Sequence, residues 1–196
     1  YLVERIAGAD RFETSLRIAE RWLPGSVREA FVATGREFPD ALAAGAAAAG
    51  SGLPVILVDG AAGSLPAAVR QRLSAIGIGT AYIAGSSSAV STGIEQGLRA
   101  ARLTVERFSG VDRFDTAAQI ANRFGVSGGT VYLASGVDFP DALAGAAVAG
   151  RQRAALLLSR PECLVFPSAP VITRLAPTRV TLLGGAPALS EAVGRY

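Results

Sequence analysis

RIAGADRFETSLRIAER, residues 5–21, returns as RFSGVDRFDTAAQIANR at residues 107–123. Gly8/Gly110, Asp10/Asp112, Arg11/Arg113, Phe12/Phe114, Thr14/Thr116, Ile18/Ile120 and Ala19/Ala121 are identical pairs. Self-similarity at a fixed period is the signature of a repeat architecture. Further along, FPDALA at 38–43 recurs unchanged at 139–144, and YIAGSSSAVS at 82–91 matches LLGGAPALS at 182–190. The offset drifts only from 102 to 99 residues, so the copies differ by a few loop deletions. Three blocks in one order establish a duplication, with expected copies at residues 1–103 and 104–196.

Within each copy, strand and helix signals alternate. Val3–Ala7 reads as a short strand, and Gly8-Ala9 as a turn. Asp10 stands where a helix N-cap belongs, with Glu13 three residues on. Asp112 and Asp115 repeat the arrangement. A capping carboxylate accepts from the orphan amides of the first turn, and the second acid complements the helix dipole. Phe12, Ser15, Leu16, Ala19 and Trp22 share one face at helical spacing. Strands are expected at 30–34, 54–58, 81–84 and 104–108, the last opening the second copy. Helices are expected at 40–49, 67–76 and 90–101. Pro39 suits a first helical turn. PVILV at 54–58 is an uninterrupted apolar run, as in a strand buried on both faces. Three prolines between Arg160 and Pro170 predict an irregular loop before a helix near 171–175. Alternating strands and helices predict an α/β fold with parallel sheets and right-handed crossovers.

Half of the 196 residues are hydrophobic and only 18% are charged, which supplies a substantial core and argues against disorder. Nineteen basic residues against sixteen acidic ones leave a charge of +3. Every basic residue is Arg, the better side chain for bidentate contact with phosphate or carboxylate. These Arg residues form no basic run, so nucleic acid is not an expected partner. Cys163, alone in a Leu-Val-Phe neighbourhood, reads as a small buried hydrophobe. The Ala-rich stretch at 41–49 is too short to span a bilayer. No signal peptide is visible, and the chain begins in mid-pattern at Tyr1-Leu2-Val3, as a segment of a longer protein would.

The strings GADRF-x-T, FPDALA, PVILV and the Gly-led turn ending AVS occur in this order. Together they resemble the type 2 cell-wall-binding repeat of Gram-positive surface proteins, over essentially the whole chain, twice. The resemblance implies tandem Rossmann-like (flavodoxin-like) α/β repeats, commonly three packed about a pseudo-threefold axis. It implies a secreted, cell-surface, non-catalytic module that anchors proteins non-covalently to an anionic secondary wall polymer. The partners it implies are an anionic cell-wall polysaccharide or teichoic-acid-like polymer and a neighbouring repeat or second chain. The family associates wall binding with an Ile-Leu-Leu string in the strand after the FPDALA helix. Val55-Ile56-Leu57 and Ala155-Leu156-Leu157 stand there in this sequence, so neither copy carries the string intact.

The candidate polymer-binding residues are Asp10, Arg11, Thr34, Asp40, Asp112, Arg113, Ser135 and Asp141. Each Asp-Arg pair either caps a helix and ties elements together, or presents a guanidinium beside helix amides to an anion. Asp40 and Asp141 sit in first helical turns, near strand ends where open α/β sheets bind ligands. Thr34-Gly35, Ser135-Gly136 and Gly85-Ser86-Ser87-Ser88 are turns able to offer hydroxyls and amides. No catalytic residue, metal ligand or cofactor is expected: without His there is no Ser-His-Asp triad or histidine metal site, and no P-loop or nucleophile elbow occurs. The alternatives are a structural spacer or self-assembly unit, and an α/β enzyme acting on nucleotides or sugars.

Overall fold

The computed structural model describes residues 1–22 and 27–195; the side chain of Trp22, assigned above to the first helix face, lies outside what is described. The first helix, α1, runs Arg11–Trp22, followed by β1 Glu29–Thr34, α2 Pro39–Ser51, β2 Val55–Val58, α3 Ala67–Ala75, β3 Thr80–Ala84, α4 Thr92–Ala100 and β4 Thr104–Phe108. The second copy continues with α5 Arg113–Phe124, β5 Thr130–Ser135, α6 Pro140–Arg151, β6 Ala155–Ser159, α7 Ser168–Leu175 and β7 Arg179–Leu182, and ends in a 3-10 turn at Glu191–Arg195.

Two all-parallel sheets result, with strand orders β2-β1-β3-β4 and β6-β5-β7. This is the expected α/β architecture of two tandem Rossmann-like repeats. The helices follow from their ends. Asp112 Oδ1 accepts from the Asp115 amide at 2.9 Å, and Asp10 Oδ1 from the Glu13 amide at 2.8 Å. Glu13 and Asp115 accept in turn from the amides of Ala9 and Val111, one residue ahead of each cap, which ties the entering chain to the first turn in each copy. Pro39 and Pro140 open α2 and α6, and Gly52 at φ 69° closes α2.

Among the described residues, one apolar core spans both copies. In it, Phe31, Tyr82 and Phe108 of the first sheet meet Phe124 of α5, with ring centroids 5.0–6.5 Å apart. Helices α2 and α6 also cross between copies. A Cβ on Gly150 would meet the Ala49 Cβ at 2.2 Å, so the crossing needs a glycine there.

Four expectations are corrected. Val3–Ala7 lies in no strand. Its counterpart, β4, pairs with β3 of the first sheet although it leads into α5; a strand forms only where a neighbour takes its hydrogen bonds. Strand β2 is buried on one face, with Val55 and Leu57 half-buried, whereas β6 is buried along its whole length. Strand registers set Val55 beside Phe31 and Leu156 beside Tyr132, the counterpart of Phe31. Val55-Ile56-Leu57 therefore corresponds to Leu156-Leu157-Leu158, and Ala155 to Pro54. Finally, Cys163 is exposed, because it sits in the proline-rich loop. That loop gives way to α7 at Ser168, with Pro170 in its first turn.

Candidate functional site

In the strand order β2-β1-β3-β4, the connections leaving the adjacent strands β1 and β3 run in opposite directions, and ligand crevices open at the strand ends of such a switch point. A cleft of about 430 Å³ lies there, against the carboxyl ends of β1 and β3. The first copy contributes Thr34, Arg36, Glu37 and Asp40 on one side and Ser86 and Ser88 on another. The second copy closes it with Asp112 and Arg113 at the start of α5. Neither copy could form this cleft alone.

Its parts are held by local chemistry. The Thr34 hydroxyl is buried and accepts from the Arg36 amide at 3.2 Å, which shapes the turn after β1. Arg36 forks onto the Asp59 carboxylate, and that hydrogen bond holds Asp59 below the usual carboxylate range. Ser86 and Ser88 share a hydroxyl–hydroxyl hydrogen bond of 2.7 Å. Arg113 donates to the Gly136 carbonyl at 2.8 Å, which pins it to the end of β5 in its own copy. Asp40 packs on the turn at Gly85, where a Cβ would come within 2.5 Å of its Oδ2; Gly85 adopts φ 110°, so a side chain is doubly excluded. Burial raises the Asp40 carboxyl above its usual range; Arg113 opposes this and Glu37 adds to it.

Of the eight candidate residues, Thr34, Asp40, Asp112 and Arg113 come together in this cleft. Asp10 caps α1, and Arg11 instead donates to the Gly35 carbonyl at 2.8 Å and lines a separate groove with Ile18, Phe38 and Leu143. Ser135 and Asp141 occupy the matching switch point of the second sheet. There the Ser135 hydroxyl accepts from the Val137 amide at 3.2 Å, and Asp141 packs on Gly184. Arg36 and Glu37 were not among the candidates; their place just after the Thr34-Gly35 turn was the available signal.

The profile of the Cell wall binding domain 2 (CWB2) family matches residues 5–95 and 107–194. The chain belongs to that family and is a tandem cell-wall-binding module. It is 28% identical over 191 residues to the N-acetylmuramoyl-L-alanine amidase LytC of Bacillus subtilis (strain 168), a match covering 97% of this chain and 37% of that protein. It is 30% identical over 161 residues to the amidase enhancer of the same organism, covering 82% of this chain and 21% of that one. Among solved structures, Cwp8 from Clostridium difficile superposes with a TM-score of 0.81 at 31% identity, over 95% of this chain and 32% of its own. Cwp6 from Clostridium difficile shares the fold, with a TM-score of 0.86 at 22% identity over 96% of this chain and 30% of its own. The chain thus spans between 21% and 37% of each relative's length. These kinships mark it as a secreted, cell-wall-associated protein.

Proposed function

We propose that the switch-point cleft between the copies holds an anionic wall polymer, and that the module anchors its protein there without catalysing a reaction. The observation that carries this is a polar cleft of about 430 Å³ assembled from both copies. Two guanidinium groups, on Arg36 and Arg113, face three carboxylates, on Glu37, Asp40 and Asp112. That balance creates no broad positive field. It favours a saccharide whose hydroxyls donate to the carboxylates and whose anionic group meets Arg113. Residues 1–103 and 104–196 are the two binding repeats, with β4 carried across to the first sheet. Further repeats add avidity through effective concentration.

The protein partner is a neighbouring repeat or a second chain. Among the described residues nothing pairs with the outer edge of β7, and Val180 on it is 43% exposed where its counterpart Ala81 is fully buried. That edge matches the one at which β3 receives β4.

The test is sedimentation of the chain with cell-wall sacculi, before and after acid extraction of anionic polymers, across a salt series. Binding lost on extraction and weakened by salt supports the reading, since exposed charge contacts are screened. Equal sedimentation with extracted sacculi would refute polymer binding.

A further inference from the structure

The two switch points share a fold but not a chemistry. Thr34, Gly35 and Asp40 recur as Ser135, Gly136 and Asp141, and the Gly85 turn recurs at Gly184 with nearly the same φ, 110° and 103°. Three of the residues that line the cleft differ. Arg36 is replaced by Val137, which is 63% exposed, and Ser86 and Ser88 by Gly185 and Pro187. The conserved pairs are those that shape the turns: the Thr34 and Ser135 hydroxyls each accept a turn amide at 3.2 Å. The divergent ones carry a guanidinium and two hydroxyls into the cleft lining.

We infer that the chain has one polymer-binding site, at the junction of the copies, and that Arg36, Ser86 and Ser88 set its specificity for an anionic saccharide unit. This rests on the cleft being the wall-polymer site. Arg36, forked onto Asp59 from outside the cleft, is held in place to meet an anionic substituent, while Arg113 flanks it from the second copy. The paired hydroxyls of Ser86 and Ser88 offer one donor and several acceptors to sugar hydroxyls. The second switch point keeps the scaffold, and its matching positions hold an apolar side chain, a glycine and a proline.

The experiment transplants these differences. One variant carries Arg36→Val, Ser86→Gly and Ser88→Ala. The other carries Ser135→Ala and Asp141→Asn in the second switch point. Both are sedimented with polymer-bearing sacculi beside the unaltered chain, and thermal midpoints are recorded to separate folding from binding. The expected result is at least a tenfold weakening for the first variant with its midpoint held, and unchanged affinity for the second. Unchanged affinity in the first, or equal losses in both, overturns the single-site inference while leaving wall binding intact. If the unaltered chain does not sediment, the wall-polymer reading and this inference fall together. Arg36→Lys, which keeps the charge, should restore part of the lost affinity if Arg36 meets an anion; no recovery from Lys counts against that role.

Discussion

Arg11 and Arg113 occupy identical sequence positions and make the same 2.8 Å bond to a glycine carbonyl, yet only Arg113 reaches the polar cleft. Truncating either removes a comparable structural contact, so their effects on folding should match while their effects on binding diverge. Arg113→Ala is expected to weaken sacculus binding about tenfold or more, the loss of one hydrogen bond to a charged group at about 1.5–3 kcal/mol. Arg11→Ala should leave binding unchanged, and equal losses in sedimentation would contradict the assignment. Asp40 invites a second substitution. Its carboxyl is raised from the usual 3.8, first by burial. The folded state therefore holds the Asp40 proton more tightly than the unfolded chain does. The stabilisation from that proton is fully present below the unfolded value and is lost as pH rises through the folded one. Asp40→Asn removes the buried charge, so its denaturation midpoint should exceed that of the unaltered chain at neutral pH, with the gap closing in acid. A lower midpoint at neutral pH would mean that Arg113 outweighs burial. The capping acids were legible in the sequence, because a cap and its amide lie three residues apart. That Asp40 and Arg113 line one cleft was not, because nothing local marks an approach between positions seventy-odd residues apart.

Helices α2 and α6 show how two similar elements acquire different tolerances. Both are Ala- and Gly-rich, and they cross where Gly150 meets Ala49. A side chain at 150 has to push backbone and Cβ atoms aside. Gly150→Leu should destabilise by about 1–3 kcal/mol, the usual cost of overpacking a tight interface. Gly45, in the same helix as Ala49, has nothing within 4 Å of where its Cβ would stand. Gly45→Ala should therefore stabilise by about 0.5–1 kcal/mol, because glycine is the weaker helix former. Urea titration of both variants reads the two signs, and destabilisation by Gly45→Ala would show that its surroundings are closer than they stand here. Periodicity and turn residues gave away nearly every element, since amphipathic spacing and caps are local. They failed at Val3–Ala7, whose pattern is that of a strand but which pairs with no edge among the described residues, and at β2, whose apolar run gives no sign that one face lies open beside Ile18 and Leu143.

Duplication was legible at the scale of the whole chain, because repeated strings survive divergence. The way the copies interlock was not, since which sheet receives β4 depends on what lies beside β3 in space. That interlocking decides how the chain unfolds. Strand β4 completes the first sheet and leads directly into α5, while Phe124 at the end of α5 returns to pack on Phe31 and Tyr82 of the first copy. The first sheet cannot lose β4 without releasing α5, and α5 cannot leave without opening the shared aromatic core. A tandem of independent repeats would melt in two steps, as neighbours joined only by a weak interface do. Here a single cooperative transition is expected, with near- and far-ultraviolet dichroism coincident and calorimetric and van't Hoff enthalpies equal. Phe124→Ala should shift that one transition instead of splitting it. The ring is half-buried, which places its loss near the lower end for a phenylalanine truncation, about 3 kcal/mol. For a chain of this size that corresponds to roughly 6–12 °C in the midpoint. Two resolved transitions in the unaltered chain, or a shift confined to one half of the signal in Phe124→Ala, would show that the copies fold as separate bodies and that the cleft between them is not a fixed feature.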